Sequence, residues 1–103
     1  MQTRKLGNTE LFLSRIGFGT AAVGGGRAYG WSPMDDSESI NTIHHALDMG
    51  INWLDTALFY GDGHAESIIA QALANWDKVT NTPIIVATKC LVARKYIQKP
   101  SVI

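Results

Sequence analysis

The chain has 103 residues, nine basic and nine acidic side chains, a formal net charge of zero and a single cysteine. That length holds one domain and a modest core, and a balanced charge with no long run of one sign leaves no electrostatic footprint for nucleic acid or an anionic membrane. One cysteine excludes an intrachain disulfide framework; with no long apolar stretch behind Met1 to Lys5, neither a signal peptide nor a membrane span is predicted, and a cytoplasmic location is expected.

In chain order, "TRKLGNTELFLSRIGFGT" sets Gly7 and Asn8 between two short segments bearing apolar residues, which predicts a hairpin running into a strand near Leu11 to Gly17. Thr20 to Met34 keeps no period, and its glycines with Pro33 predict a loop. Asp35 with Glu38 three residues later fits a capping box. Ile40, Ile43, Ala46 and Leu47 then share one helical face, and Gly50 is placed to end the helix in a left-handed turn. "INWLDT" is apolar on both parities and predicts a strand buried on both sides. A second helix is expected from about Ala65 to Trp76, with Ile68, Ile69, Ala72, Leu73 and Trp76 as its inner stripe, and "PIIVATK" predicts another doubly buried strand. Strands alternating with helices imply right-handed crossovers and a parallel sheet.

Three features invite functional readings that the pattern does not support. "GFGTAA", Gly17 to Ala22, has the spacing of a glycine-rich dinucleotide fingerprint, but no helix opens at once behind it to face a pyrophosphate. His44 and His45 are adjacent on a helix and His64 opens the next, so no metal-ligand spacing arises; a solvated pair and a helix-start residue are expected, and no metal site. Cys90 lies past a strand end with no base near it in sequence and reads as inert.

Active sites of parallel α/β sheets form at the C-terminal ends of the strands. Asp55 ends one predicted strand, Lys89 ends the next, and Tyr60 follows in the loop after Asp55. If the two strands are neighbours, about 4.8 Å apart, the acid and the lysine can meet. A buried Lys89 ammonium, balanced by Asp55, favours the ionised form of the Tyr60 phenol and makes it a usable general acid. The plainer readings are a rim salt bridge, with Asp55 closing a turn and Tyr60 packing on the surface.

"KLGNTELFLSRIGFGT", "GINWLDTALFYGDGHAE" and "IIVATKC" together resemble the opening of the aldo-keto reductase family, from about Thr3 to Cys90. The resemblance implies the N-terminal portion of a (β/α)8 TIM barrel, an α/β fold in which the hairpin over Thr3 to Leu13 plugs the bottom. About three strands and two helices are expected, stopping before the fourth barrel strand. It implies NADPH-dependent reduction of an aldehyde or ketone, with Tyr60 as proton donor, Lys89 modulating it and Asp55 as the lysine's partner. Gly19, Thr20 and Asp55 would border the nicotinamide. The family's fourth catalytic member, a histidine, has no counterpart in "LVARKYIQKPSVI", where Pro100 and Ser101 resemble the start of a third helix; Leu91 to Gln98 is short and lacks a glycine after Cys90. A closed barrel takes about 250 residues. The alternative is therefore a truncated, catalytically inactive fragment, and a small flavodoxin-like binding module is a weaker one. Substrate identity and oligomeric state stay open.

Overall fold

The computed structural model describes residues 1–24, 35–78 and 83–90. The expected loop beyond Gly24, the stretch Leu91 to Gln98 and the helix start at Pro100 and Ser101 lie outside the described residues.

The chain opens with a two-stranded antiparallel hairpin, β1 (Thr3–Lys5) and β2 (Phe12–Ser14), with Arg4 opposite Leu13. Gly7 supplies the positive φ of 56° that the turn requires, and the Leu6 N–H donates to the Leu11 carbonyl at 2.9 Å to close it. The strand expected near Leu11 to Gly17 is shorter than that and ends at Ser14. The Ser14 hydroxyl donates to the Ile16 carbonyl at 2.6 Å and bends the chain, so that β2 stays with the hairpin and β3 (Phe18–Gly19) starts a separate sheet.

That second sheet is parallel and ordered β3-β4-β5, with β4 at Trp53–Asp55 and β5 at Ile85–Ala87. Helix α1 (Asp36–Asp48) joins β3 to β4, and α2 (His64–Ala74) joins β4 to β5. The Asp35 carboxylate caps α1 by accepting from the Ser37 N–H at 2.8 Å rather than from Glu38. At the other end Gly50, φ 99°, lets the Gly50 N–H reach the Leu47 carbonyl and the Ile51 N–H the Ala46 carbonyl, the paired bonds that stop a helix. Helix α2 begins one residue before the expected start and ends two before the expected finish; Trp76 lies beyond it.

Both helices pack on one side of the sheet. Ile43 and Leu47 from α1, Ile68, Ile69 and Ala72 from α2, and Leu54 from β4 form the core, with Phe18, Ile40, Leu73, Trp76 and Ile84 packed against it. Alternation along β4 then turns Trp53 and Asp55 to the opposite face. The expectation that "PIIVATK" is buried on both sides does not hold: Val86 is 42 % exposed and Ala87 is exposed. The reason is position. β5 is an edge strand of the described sheet, and no described element lies outside it.

The hairpin is tied across to β4. Asn52 accepts from the Ser14 N–H at 2.8 Å and donates to the Phe12 carbonyl at 2.8 Å, while the Trp53 indole N–H donates to the Ser14 carbonyl at 2.9 Å. A Cβ on Gly17 would fall 2.2 Å from the Trp53 ring, so only glycine admits the indole there. The hairpin thus sits at the N-terminal end of β4, opposite the rim where Asp55 lies.

Candidate active site

The ladder between β4 and β5 continues past both strands. The Thr56 N–H donates to the Ala87 carbonyl at 2.8 Å and the Leu58 N–H to the Lys89 carbonyl at 3.0 Å, which carries Lys89 to the rim beside Asp55. The Lys89 Nζ donates to Asp55 Oδ1 and to the Thr56 carbonyl, each at 2.7 Å, and lies 5.2 Å from the centroid of the Tyr60 ring. All three side chains expected at the rim meet there. Their surroundings differ from expectation in one respect: the lysine and aspartate side chains are 45 % and 44 % exposed, so the ammonium is not buried. The lysine's pKa is nevertheless raised above its ordinary value, first by its hydrogen bond to Asp55 and then by the charges of Asp55 and Tyr60, against a smaller opposing effect of burial than that bond exerts.

Asp55 is also held through its backbone. The N–H and the hydroxyl of Thr20, a fully buried residue, both donate to the Asp55 carbonyl, at 2.9 and 3.0 Å. Gly19 stands opposite Asp55 in the register, and among the described residues a Cβ placed on it would meet nothing within 4 Å, so the described rim is open at that point. Tyr60 begins a short 3-10 turn, Tyr60–Gly63, in which Gly61, Asp62 and Gly63 all have positive φ. For Asp62, at 56°, that conformation is strained. The Tyr60 ring meets Phe59 edge-on, with centroids 5.3 Å apart.

Of the three histidines, His45 is exposed and His64 opens α2 as expected, while His44 departs from expectation. His44 is not a solvated side chain: its Nε2 is 2.7 Å from the Ala72 carbonyl and its ring lies 5.3 Å from Trp76, so it joins α1 to α2. His64 Nε2 is 2.8 Å from Asp36 Oδ1 and links the first turns of the two helices. Among the described residues no group of three or more His, Cys, Asp or Glu is placed to hold a metal ion. Cys90 is a free, exposed thiol.

Several residues that organise this region escape a reading of the sequence. Asn52 is one; a lone amide inside an apolar run is the signal that could have marked it. Glu66 and Thr88 are others, joined by a hydrogen bond of 2.6 Å from the Thr88 hydroxyl to Glu66 Oε2. Nothing in their spacing announces the contact, since 22 positions separate them. The Thr56 hydroxyl is fully buried and has no hydrogen-bond partner among the described residues.

Residues 15–102 match the family model described as the aldo/keto reductase family. The chain belongs to the aldo/keto reductase family. It is 42 % identical over 90 residues to an NADH-specific methylglyoxal reductase of Escherichia coli, covering 87 % of this chain and 26 % of that protein. It is 40 % identical over 89 residues to an aldo-keto reductase of Bacillus subtilis, covering 86 % of this chain and 25 % of its relative. Among solved structures, a glycerol dehydrogenase from Gluconobacter oxydans superposes with a TM-score of 0.65 at 42 % identity, over 84 % of this chain and 24 % of that one. This member of the aldo/keto reductase family therefore spans about a quarter of the length of the curated relatives it matches. Its strands and helices reproduce part of an aldo-keto reductase barrel, and the described sheet does not close. No described helix is long and apolar enough to cross a membrane.

Proposed function

We propose that these residues form the acid–base part of a carbonyl-reducing site, in which an aldehyde or ketone becomes an alcohol at the expense of a reduced nicotinamide dinucleotide. The observation that carries the reading is the contact of the Lys89 ammonium with both Asp55 and the Tyr60 ring at the C-terminal rim of a parallel sheet. Tyr60 is the proton donor to the carbonyl oxygen. Lys89 supplies positive charge beside the phenol and stabilises the oxyanion left when the proton departs, while Asp55 fixes the lysine's position and charge.

The open rim at Gly19 fits a flat nicotinamide ring, because a side chain there would occupy the ground the ring needs. Gly19 and Asp55 border that space. Thr20, its hydroxyl committed to the Asp55 carbonyl, holds the two in register rather than offering a free donor. The bound dinucleotide supplies the hydride. NADPH is the cofactor expected by resemblance; one relative is named for its specificity for NADH. The substrate is a small carbonyl compound.

A second reading is favoured by the exposure of the Asp55–Lys89 pair and of Val86. Oxyanion stabilisation is strong only where water is excluded, and this rim is wet. In that reading the 103 residues by themselves turn nothing over. Absorbance-monitored oxidation of NADPH and NADH with a panel of aldehydes, together with a cofactor fluorescence titration, separates the two. Aldehyde-dependent oxidation that is lost in Tyr60→Phe supports the enzyme reading; no cofactor quenching and no oxidation support the inactive one. Turnover retained in Tyr60→Phe removes Tyr60 from the mechanism.

A further inference from the structure

Lys89 lies two residues beyond the last residue of β5, and β5 is an edge strand of the described sheet. A lysine so placed has many conformations open to it, yet its ammonium meets Asp55 and the Thr56 carbonyl at 2.7 Å. What restricts the backbone on either side of it is visible. The Leu58 N–H holds the Lys89 carbonyl at 3.0 Å, and the adjacent Thr88 hydroxyl donates to Glu66 Oε2 at 2.6 Å. That second bond is short and charge-assisted, of the kind that fixes a geometry. Glu66 is itself set in the first turn of α2, directly behind the loop that carries Tyr60. Ala65 and Ile68, on either side of Glu66 in that helix, are fully buried, so the helix does not shift to follow the loop.

We propose that Glu66, acting through the Thr88 hydroxyl, is a positioning residue that fixes the end of β5 so that the Lys89 ammonium reaches Asp55 and Tyr60. One carboxylate on α2 thereby ties together the two segments that bring the lysine and the tyrosine to the rim. Among the described residues the titratable groups that act on the Lys89 ammonium are Asp55 from β4 and Tyr60 from the turn before α2, while the Glu66 carboxylate bonds to the Thr88 hydroxyl. The functional weight of this link rests on the reading of Lys89 given above, but the link itself is testable without turnover.

The test is a titration of the Lys89 side chain, followed by NMR at the carbon next to its ammonium, in the unmodified chain and in three variants. Thr88→Val keeps the shape of the side chain and removes the donor; Glu66→Ala removes the acceptor without touching β5; Thr88→Ser restores the hydroxyl. Expected are a raised Lys89 titration in the unmodified chain and in Thr88→Ser, and a downward shift toward ordinary lysine in Thr88→Val and in Glu66→Ala, with amide exchange in α1 unchanged. A Lys89 titration unmoved by Thr88→Val or by Glu66→Ala overturns the proposal. So does loss of the whole fold in both, which would make the bond structural rather than positional. An ordinary Lys89 titration in the unmodified chain would remove the ion pair itself, and with it both the proposal and the reading of the site.

Discussion

At the scale of single residues, the rim is organised by charge and hydrogen bonding around Lys89. Tyr60→Phe keeps the ring over which the ammonium sits and removes the hydroxyl that carries the proton, so a competent reductase carrying these residues should lose roughly 10²- to 10⁴-fold in turnover while its cofactor titration stays unchanged. The lysine's raised pKa also predicts a pH dependence of stability. The group holds its proton more tightly folded than unfolded. Its contribution is therefore complete below the ordinary lysine value and disappears as pH rises through the folded value. A pair this exposed contributes at most about 1 kcal/mol. The difference in urea midpoint between the unmodified chain and Lys89→Gln should be constant near neutrality and shrink at strongly alkaline pH; a difference that grows there would contradict the assignment.

Elements are joined here by a few specific contacts. The hairpin is attached to β4 through Asn52, Ser14 and the Trp53 indole, in a buried setting where lost partners are costly. Asn52→Leu keeps the branching at Cγ and leaves the Ser14 N–H and the Phe12 carbonyl without their amide partner, for an expected loss of about 1–3 kcal/mol in denaturant unfolding. Gly17→Ala acts from the other side of the same joint. With its Cβ 2.2 Å from the indole ring, the ring must leave its place, and Trp53 emission should move to longer wavelength as the indole is wetted. Unchanged emission would show that the hairpin shifts instead. Helix α1, by contrast, owes its ends to local chemistry, the Asp35 cap and the Gly50 stop, and Asp35→Ala should cost about 1 kcal/mol.

For the molecule as a whole, the decisive feature is that the described sheet is open. β3 and β5 are the edges of the described three-stranded sheet, and Val86 on β5 is 42 % exposed although it stands in register with fully buried Leu54. Exposed apolar edges pair with other chains. The 103-residue polypeptide in isolation is therefore expected to self-associate in a concentration-dependent manner on size-exclusion chromatography, and Val86→Lys, which places a charge on that edge, should reduce the association. A single monomeric peak at every concentration would show that the edge is protected.

The sequence by itself determined whatever depends on neighbours along the chain. Gly7, Asp35 and Gly50 announced a turn and the two ends of a helix because φ preferences and caps are local, and the periods of α1 and α2 exposed their buried faces. The order of Asp55, Tyr60 and Lys89, set behind apolar strands, was enough to place them at one rim and to suggest the family. Pairing and coverage were not local, and only the tertiary structure decided them. It ended the hairpin strand at Ser14, before Gly17, because Trp53 arrives at Gly17 from 36 positions away and Ser14 bends toward Ile16. It turned His44 from a solvated residue into a link with Ala72, and it left Lys89 and Val86 half in water. It also joined Thr88 to Glu66, a contact between a strand end and a helix start that no periodicity encodes. Burial is a property of what lies across the sheet, and a strand's own residues carry no information about whether that covering is present.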